Sequence, residues 1–393
     1  MANWRKVRLG EICRFKYGEM PKKNDLTPQG YPVYSGYRYV GFSPRYHYPE
    51  PEIIVVARGE GGTGDVKMTP PFCFLTNISI AILLETLEVF KPFLFYRLSA
   101  TTLWALRTGS AQAQITIEHL KDFEVEFPPL PVQRRIAGIL SAYDELMENS
   151  QRRIRLLEAM ARALYREWFV HFRFPGYEKL HSSPSGRGQG EGAQLVPSPP
   201  GDIPQGWEVK KLKDACHLTM GQSPKSEFYN ETGEGQPFHQ GVTNFGERFP
   251  TDRLFCTVEG RVAEAGDILF SVRAPVGRMN IADKKIIIGR GLSAIRHRDG
   301  HQAFLWEQLR NRFTEDDMMG NGAIFAAVTK DDMQGIELIC PPASLVVAAT
   351  KHFEPIHTEL AALTKQIANL RKTRDLLLPR LLSGSVELAT EKN

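Results

Sequence analysis

The sequence of 393 residues predicts two domains of mixed α/β (α+β) type, each followed by a long helix, with the two helices packed as an antiparallel coiled coil. Three observations support this fold class. The chain contains an internal repeat, short apolar runs of strand length alternate with glycine and proline turns in each copy, and a heptad-like pattern follows each copy. We therefore expect a pseudo-two-fold repeat of one domain and one helix.

Six residues of the first copy recur at one constant offset in the second. Further along, Glu52 to Arg58 resembles Asp267 to Arg273, and each copy ends in a double proline, Pro128-Pro129 or Pro341-Pro342. The repeat predicts the two α/β domains at residues 1–127 and 207–340. The recurring pairs are Trp4 and Trp207, Leu9 and Leu212, Cys13 and Cys216, Gly18 and Gly221, Pro21 and Pro224, and Lys22 and Lys225.

A long helix is predicted after each double proline, over residues 128–176 and 341–384. Apolar residues recur there at three-and-four spacing, which is typical of a helix whose narrow apolar stripe packs on another helix. The first stripe shifts by one position near Ser150, and Pro355 and Pro379 favour bends near the ends of the second helix. The alternative is that each helix packs on its own domain. The predicted coiled-coil core comprises Ile154, Leu157, Ala161, Leu164, Trp168, Leu360, Leu363, Ile367, Leu370 and Leu377.

Residues 177–206 join the two copies. The segment is rich in glycine, serine and proline, as in Ser182-Ser-Pro-Ser-Gly-Arg-Gly188. Because this composition buries little apolar surface, it predicts a flexible linker, with an ordered surface loop as the alternative. Residues 385–393 form a predicted C-terminal tail.

The net charge of +4, from 49 Lys and Arg against 45 Asp and Glu, permits a nucleic-acid partner without requiring one. No run of about 20 apolar residues predicts a spanning helix, and no signal peptide is recognisable. Five scattered cysteines without a CxxC pair favour reduced thiols over a disulfide framework or a zinc site. We therefore expect a cytoplasmic protein that does not bind a membrane.

Polar, aromatic and basic residues gather in predicted loops of both copies. Such side chains hydrogen-bond base edges and phosphates, so these loops are candidates for DNA contact, with ordinary turns and solvated arginines as the alternative. The glycine-rich segment from Arg58 to Gly64 lacks the GK[ST] ending of a nucleotide-binding loop, so we interpret it as a turn that lets Arg58 and Lys67 approach a DNA backbone. The candidates are Lys22, Tyr34, Tyr37, Arg38, Arg58, Thr63 and Lys67, and in the second copy Lys225, His239, Gln240, Thr243, Asn244, Arg273, Arg278 and Arg290.

Motifs for catalysis are missing from the sequence. HExxH, GxSxG and closely spaced clusters of His, Cys and Asp do not occur. Neither Pro70-Pro71 nor Pro128-Pro129 follows the asparagine that an amine-binding Asn-Pro-Pro-aromatic motif needs. We therefore expect no active site, metal site or cofactor in this chain.

Several segments resemble the specificity (S) subunit of type I restriction-modification systems. The resemblance extends essentially from end to end and is most specific in the helical segments. One departure is Ala343-Ser-Leu-Val-Val-Ala-Ala349, where the first copy has Leu-Pro-Val-Gln-Arg-Arg-Ile, so a less regular second docking surface is expected. The segments are Phe127-Pro-Pro-Leu-Pro-Val-Gln133-Arg-Arg-Ile-Ala-Gly-Ile-Leu140, Tyr165-Arg-Glu-Trp168-Phe-Val-His-Phe-Arg173-Phe-Pro-Gly176, Gly206-Trp207-Glu-Val-Lys-Lys-Leu212, Gly266-Asp-Ile-Leu-Phe-Ser-Val-Arg273-Ala-Pro-Val-Gly277 and Leu376-Leu-Leu-Pro-Arg-Leu-Leu-Ser-Gly384.

The resemblance implies a non-catalytic subunit with two target recognition domains, each reading one half of a bipartite double-stranded DNA site. It implies that the helices space these domains and dock two methyltransferase (M) subunits, which bind S-adenosylmethionine and methylate adenine. It also implies restriction (R) subunits that use ATP and Mg to translocate and cleave DNA. The cofactors are therefore expected in the partner subunits.

Three other functions remain as alternatives. Within the same family, the chain could be an orphan or methylation-only S subunit. In a different class, it could be a coiled-coil scaffold whose end domains bind proteins, and the charged face of the first helix suits either a solvated surface or a docking site. An enzyme is the third alternative.

Overall fold

The computed structural model describes residues 4–22, 26–59, 62–101, 103–108, 113–177, 195–199, 201–314 and 328–386. The chain divides into two compact units. Unit 1 comprises Met1–Glu148 with Ala368–Asn393, and unit 2 comprises Asn149–Ile367. Each unit therefore combines one α/β domain with parts of both long helices.

The described residues of unit 1 form three sheets. They are the four-stranded antiparallel sheet β2-β8-β5-β6, the sheet β4-β3-β7, in which β3 and β7 are parallel, and the pair β1-β9. Its elements are β1 (Arg5–Arg8), α1 (Leu9–Ile12), β2 (Cys13–Tyr17), β3 (Tyr31–Tyr34), β4 (Tyr39–Ser43), β5 (Ile53–Val56), β6 (Val66–Met68), β7 (Phe74–Leu75), β8 (Ser79–Leu84), α2 (Lys91–Ser99), a 3-10 turn (Leu103–Leu106), α3 (Ile117–Lys121), β9 (Glu124–Phe127) and the start of α4 (Leu130–Tyr165).

The core of unit 1 forms around β5, because all four of its residues are apolar and buried. Ile53 and Val55 pack with Phe93 and Leu94 of α2, and the same cluster includes Leu140 of α4. Burial of such side chains contributes about 1.5–3 kcal/mol each relative to exposure, which fixes α2 and α4 on the sheet.

Unit 2 repeats this plan with a larger second sheet. Its sheets are β13-β21-β18-β19, β14-β16-β15-β20-β17, β12-β22 and β10-β11. Its elements are the rest of α4 with a π turn (Arg166–Val170), β10 (Leu195–Val196), β11 (Ile203–Pro204), β12 (Glu208–Lys211), α5 (Leu212–Ala215), β13 (Cys216–Met220), a 3-10 turn (Ser226–Phe228), β14 (Tyr229–Asn230), β15 (Gln236–His239), a 3-10 turn (Val242–Asn244), β16 (Phe255–Cys256), β17 (Val262–Ala263), β18 (Ile268–Ser271), β19 (Met279–Ile281), β20 (Ile286–Ile288), β21 (Leu292–His297), α6 (Gln302–Thr314), α7 (Lys330–Gly335), β22 (Glu337–Cys340) and the start of α8 (Ala343–Leu382).

The predicted internal repeat is confirmed by the strand pairing. The order β2-β8-β5-β6 of unit 1 matches β13-β21-β18-β19 of unit 2, and β1-β9 matches β12-β22. The parallel pair is also repeated, with Val33 opposite Phe74 in one unit and Phe238 opposite Ile287 in the other. The two domains therefore share one architecture despite different loop sequences.

The long helices α4 and α8 contact each other within both units, and they are antiparallel as predicted. In unit 1, Asp144 of α4 pairs with Arg374 of α8, and in unit 2, Arg153 pairs with Glu359. From the first pair to the second, the residue number increases along α4 and decreases along α8, as it does in two antiparallel helices. The start of each helix also packs on its own domain, since Leu140 belongs to the unit 1 core and Phe353 packs with residues of α6. Both packing arrangements that the sequence allowed are therefore present.

The residues of the predicted coiled-coil core are buried or half-buried. Pro355 and Pro379 do not interrupt α8, which is continuous over 40 residues. Trp168 lies in the π turn that follows α4. Ala161, Trp168, Leu360, Leu363 and Ile367 are buried, and Ile154, Leu157, Leu164, Leu370 and Leu377 are half-buried.

The linker predicted at 177–206 is described only in part, because residues 178–194 and 200 lie outside the described residues. Near its end, β10 and β11 pair antiparallel. Ile203 is buried in the same cluster as Trp207 and Phe169. This end of the segment is therefore packed into unit 2. Of the predicted tail, residues 387–393 lie outside the described part of the chain.

Candidate nucleic-acid interface

In unit 2, the loops at one end of the four-stranded sheet are joined by backbone hydrogen bonds. Gly221 N donates to Leu292 O at 2.9 Å, and Val272 N donates to Gly291 O at 3.0 Å. The loop that follows β18 begins directly after this second bond, at Arg273. These bonds bring the segments after β13, after β18 and before β21 to one edge.

Unit 1 has the same bonds at the matching positions. Gly18 N donates to Ser79 O at 3.1 Å, and Ala57 N donates to Ile78 O at 2.8 Å. Arg58 follows Ala57 as Arg273 follows Val272, so the two arginines occupy equivalent positions, and both are exposed. The sequence comparison of Glu52 to Arg58 with Asp267 to Arg273 is therefore matched in three dimensions.

Glycine is required where these loops cross. A Cβ at Gly18 would lie 2.2 Å from Thr76 O, and a Cβ at Gly221 would lie 2.2 Å from Gly289 O. Both distances are far below van der Waals contact, so any side chain would push the crossing strands apart. The recurrence of Gly18 and Gly221 in the sequence thus has a steric cause.

In unit 1, three predicted candidates lie in one group. The Tyr37 hydroxyl donates to Arg58 O at 3.2 Å, and the Lys67 ammonium lies 5.7 Å from the centre of the Tyr37 ring. The Arg58 guanidinium donates to Asn77 O at 3.0 Å. The Lys67 cation therefore lies beside the Tyr37 ring, and the Tyr37 hydroxyl is bonded to the backbone of Arg58, whose own cation is exposed, an arrangement that suits contact with a phosphate backbone.

The glycine-rich segment wraps around Tyr37. A Cβ at Gly59 would lie 2.5 Å from the Tyr37 hydroxyl, and one at Gly62 would lie 2.7 Å from the ring. Thr63 is buried and its hydroxyl donates to Gly59 O at 3.1 Å, so Thr63 shapes the loop from inside and is not available at its surface. The glycines therefore make room for Tyr37. The close approach to a DNA backbone that the sequence predicts for this turn stays a prediction.

Two residues that sequence reasoning missed extend this group. Trp104 is 50% exposed, and its ring lies against Gly64, where a Cβ would be 2.7 Å away. The Arg107 guanidinium lies 4.7 Å from the Trp104 ring centre, and its Nε donates to Trp104 O at 3.1 Å. No motif marks this segment, because the fold alone brings the 3-10 turn beside the glycine loop.

In unit 2, the exposed candidates Lys225, Gln240, Arg273 and Arg290 lie on the joined loops. Arg290 N donates to Ser223 Oγ at 3.2 Å, and Gln240 O accepts from Gly291 N at 3.0 Å. The Lys225 ammonium lies 3.7 Å from a carboxylate oxygen of Glu227. Because both side chains are exposed, this pairing weakens the attraction of Lys225 for a phosphate only slightly. These side chains carry the amide and cationic groups that read bases and phosphates.

His239 is buried beneath this edge. Its Nε2 lies 3.0 Å from Asp252 Oδ1, and the other oxygen of Asp252 pairs with Lys284 at 2.5 Å. Burial lowers the pKa of the His239 imidazole, against the opposing effect of Asp252. The side chain is therefore a support for the adjoining Gln240 and is not available for direct contact.

The other candidates are spread more widely. Tyr34 is half-buried, with its ring 5.4 Å from the Tyr39 ring, and Asn244 is half-buried with its carbonyl accepting from Thr251 N at 2.8 Å. The backbone N–H of Arg278 donates to Ser271 Oγ at 2.8 Å, and the Arg278 side chain is exposed. The remaining exposed candidates are Lys22, Arg38 and Thr243.

Unit 1 thus presents exposed cationic and aromatic groups at this edge of its sheet, and unit 2 presents exposed cationic and amide groups. Among the described residues, no group of three or more His, Cys, Asp and Glu side chains is arranged to hold a metal ion. Over the same residues, no helix has the length and apolar character needed to cross a membrane.

Comparison with known proteins gives consistent matches. The profile of the Type I restriction modification DNA specificity domain matches residues 1–159 and 204–369. The putative type I restriction enzyme MjaX specificity subunit of Methanocaldococcus jannaschii is 32% identical over 283 residues, which cover 71% of this chain and 63% of that protein, so just under two thirds of its length is spanned. The type I restriction enzyme MjaIX specificity subunit of the same organism is 23% identical, over 87% of this chain and 79% of that protein.

A solved structure shares the fold. The crystal structure of the type I restriction-modification system S subunit from M. genitalium aligns with a TM-score of 0.68 at 20% identity, over 99% of this chain and 97% of that chain. The agreement over nearly the full length of both chains shows the same arrangement of elements.

Proposed function

This chain belongs to the type I restriction-modification DNA specificity family, and we propose on that premise that it reads a bipartite double-stranded DNA target for methyltransferase and restriction partners. One observation carries the proposal. The same backbone bonds place Arg58 and Arg273 on equivalent exposed loops of two units. Two equivalent reading edges suit a target with two half-sites.

Recognition at each edge combines contacts of two kinds. The cations Arg58, Lys67 and Arg273 suit phosphate oxygens, which set the register of the domain on the duplex. Gln240 and Arg290 carry the donors and acceptors that distinguish bases in the major groove. Two separate modules on one chain multiply their specificity, because binding of one half-site raises the effective concentration of the other.

The long helices set the gap between half-sites. With 40 residues, α8 is about 60 Å long, which is less than two turns of B-DNA at roughly 34 Å each. Because the helix has a fixed length, the two half-sites are separated by a fixed number of base pairs whose sequence is not read.

The chemistry belongs to the partners. Two M subunits dock on the helices, bind S-adenosylmethionine and methylate an adenine that is flipped out of the duplex. R subunits use ATP and Mg for translocation and cleavage. The chain acts in the cytoplasm, where DNA and these partners meet.

Single-molecule sequencing of modified adenines tests the proposal in a host that carries this gene together with that of an M subunit. The expected result is methylation at one motif made of two half-sites with a fixed gap. Exchange of residues 1–127 for those of a relative should change one half-site and leave the other and the gap intact. Methylation without a motif, or a motif that the exchange leaves unchanged, would overturn the proposal.

A further inference from the structure

A buried ionic cluster fastens one loop of unit 2 to the long helix α8. Arg248, Glu307 and His357 are 6%, 2% and 9% exposed. A guanidinium nitrogen of Arg248 lies 2.8 Å from His357 Nδ1, and His357 Nε2 lies 2.9 Å from Glu307 Oε1. One imidazole on α8 therefore joins a cation of the loop to an anion of α6.

The cluster fixes the protonation state of His357. A guanidinium can only donate hydrogen bonds, so Nδ1 must accept from Arg248 with its lone pair. Nε2 then carries the proton and donates it to Glu307. A second proton, on Nδ1, would break the bond to Arg248 and bring two cations into contact inside the protein.

Other charged groups frame the imidazole. Glu307 and Arg310 face it from α6 and Arg248 from the loop, while Glu158 of α4 lies 3.3 Å from Arg310. Glu354, on the same helix as His357, is exposed. Burial lowers the pKa of His357 below the ordinary 6.5, and the hydrogen bond with Glu307 opposes this shift. The imidazole is thus neutral near pH 7.5.

The loop held by Arg248 is one that carries candidate DNA contacts. It runs from Gln240 through Thr243 and Asn244 to Arg248. Gln240 O accepts from Gly291 N at 3.0 Å, and Arg248 O accepts from Ile281 N at 2.9 Å, so the sheet fixes the backbone at both ends. The Arg248 side chain, 5.7 Å from the centre of the Trp306 ring, fixes the same loop on the helices of unit 2.

The equivalent contact in unit 1 has no imidazole. Asp144 and His357 each lie fifteen positions after the second proline of their double proline, and Tyr96 and Glu307 each follow a Phe-Leu pair at the same spacing. The Tyr96 hydroxyl donates to Asp144 Oδ2 at 2.6 Å. Both units therefore join domain to helix at one position, but the contact in unit 2 is made by an imidazole where that in unit 1 is made by a carboxylate.

We infer that Arg248 and His357 are positioning residues for the second recognition domain, and that protonation of His357 detaches the Arg248 side chain from α8, loosens the 240–250 loop between its two backbone anchors and weakens reading of the second half-site alone. The inference rests on the proposed function, because it requires that the loop contacts DNA. Acidification would then change the recognition of one half-site and leave that of the other intact.

The test uses the full chain in complex with its M subunits and a random-sequence duplex library as the substrate. Methylated adenines are sequenced at pH 7.5 and at pH 5.5, and discrimination is scored separately for each half-site. Loss of one hydrogen bond to a charged group corresponds to about tenfold or more, so we expect about a tenfold fall at pH 5.5 in the second half-site. Discrimination at the first half-site should be unchanged.

Two matched variants separate positioning from general loss of structure. His357→Asn retains an acceptor for Arg248 but does not titrate, so the difference between the two pH values should disappear while reading at pH 7.5 persists. Asp144→Asn at the equivalent position should leave the pH response of the second half-site as it is. If either variant fails to fold, the wild-type protein still tests the inference, because its two half-sites are compared with each other at the two pH values.

The outcomes are distinguishable. Methylation without any motif would overturn the proposed function itself. A clear bipartite motif whose halves respond equally to pH, or a pH response that persists in His357→Asn, would overturn this inference and leave the proposed function intact.

Discussion

The Tyr96 hydroxyl donates a 2.6 Å hydrogen bond to Asp144, and thereby ties α2 of the first domain to α4. The other carboxylate oxygen of Asp144 accepts from Arg374 of α8 at 2.6 Å. One carboxylate thus joins a recognition domain to both long helices within unit 1. The orientation of the domain on its helices depends on this point as well as on apolar packing.

Tyr96→Phe removes the donor and leaves the ring in place. Because a hydrogen bond to a charged group contributes about 1.5–3 kcal/mol when buried and less when its acceptor is partly exposed, we expect a loss of about 1–2 kcal/mol in free energy of unfolding. Guanidinium denaturation of the full chain measures it, with Tyr46→Phe on an exposed ring as the control. Equal midpoints for the two variants would contradict the prediction.

Gln133→Leu should destabilise unit 1 more strongly. Gln133 is fully buried, its Oε1 accepts from Phe90 N at 2.8 Å, and its Nε2 donates to Glu88 O at 2.9 Å and Pro128 O at 2.8 Å. Leucine leaves these buried groups unpaired at a cost of about 1–3 kcal/mol each, so a total loss of at least about 2 kcal/mol is expected in chemical denaturation. Gln366→Leu, at an exposed position of α8, should change stability by less than about 0.5 kcal/mol.

Arg273→Ala should weaken DNA binding by the chain and lower its salt dependence. Loss of one phosphate contact reduces the slope of log affinity against log salt by about 1. Binding of duplex DNA is measured over a range of salt concentrations, together with Arg58→Ala as the equivalent change in unit 1. Arg155→Ala, an exposed residue of α4, removes the same charge elsewhere. If Arg273→Ala behaved like Arg155→Ala at every salt concentration, Arg273 would not contact DNA.

Arg107→Lys tests whether the surface beside Trp104 takes part in recognition. Lysine keeps the charge but loses the planar stacking and the Nε bond to Trp104 O, so affinity for the target should fall by about two- to fivefold. A competition assay against non-target duplex measures it, with Lys67→Arg as a control that retains both charge and ring contact. Unchanged discrimination in Arg107→Lys would limit the interface of unit 1 to Tyr37, Arg58 and Lys67.

The buried thiols should be inert in the folded protein. Burial raises the pKa of Cys13 and of Cys216 to about 12, so at pH 8 the thiolate is about one part in ten thousand. Alkylation by iodoacetamide at pH 8, followed by mass spectrometry, should leave both unmodified until denaturant is added. Rapid labelling of native protein at either position would show that these cores open readily.

Much of the fold could be predicted from the sequence, because the repeat and the heptad pattern are properties of spacing. The double prolines locate the starts of α4 and α8 to within about two residues, and the end of α8 is equally close, but α4 ends at Tyr165 and its π turn at Val170, short of the predicted residue 176. The continuity of α8 through Pro355 and Pro379 could not be predicted, since packing along the helix pair offsets the local loss of a backbone hydrogen bond.

The site was less predictable, because exposure depends on the fold. Arg58 and Arg273 stand out from their positions after similar apolar runs, and both are exposed. Thr63 and His239 have suitable chemistry but are buried. Trp104 and Arg107 carry no sequence signal, since their proximity to the glycine loop comes from contacts between segments about forty residues apart.

The crossing at Gly18 and Gly221 has a consequence for inheritance. At these crossings the loops are joined by backbone hydrogen bonds, which place few demands on the exposed side chains that the loops display. Substitutions at Arg58, Arg273 or Gln240 can therefore accumulate without compensating changes in the core. Under the proposed function, recombination within α4 or α8 would likewise exchange a whole edge, and with it one half of the DNA target, in a single event.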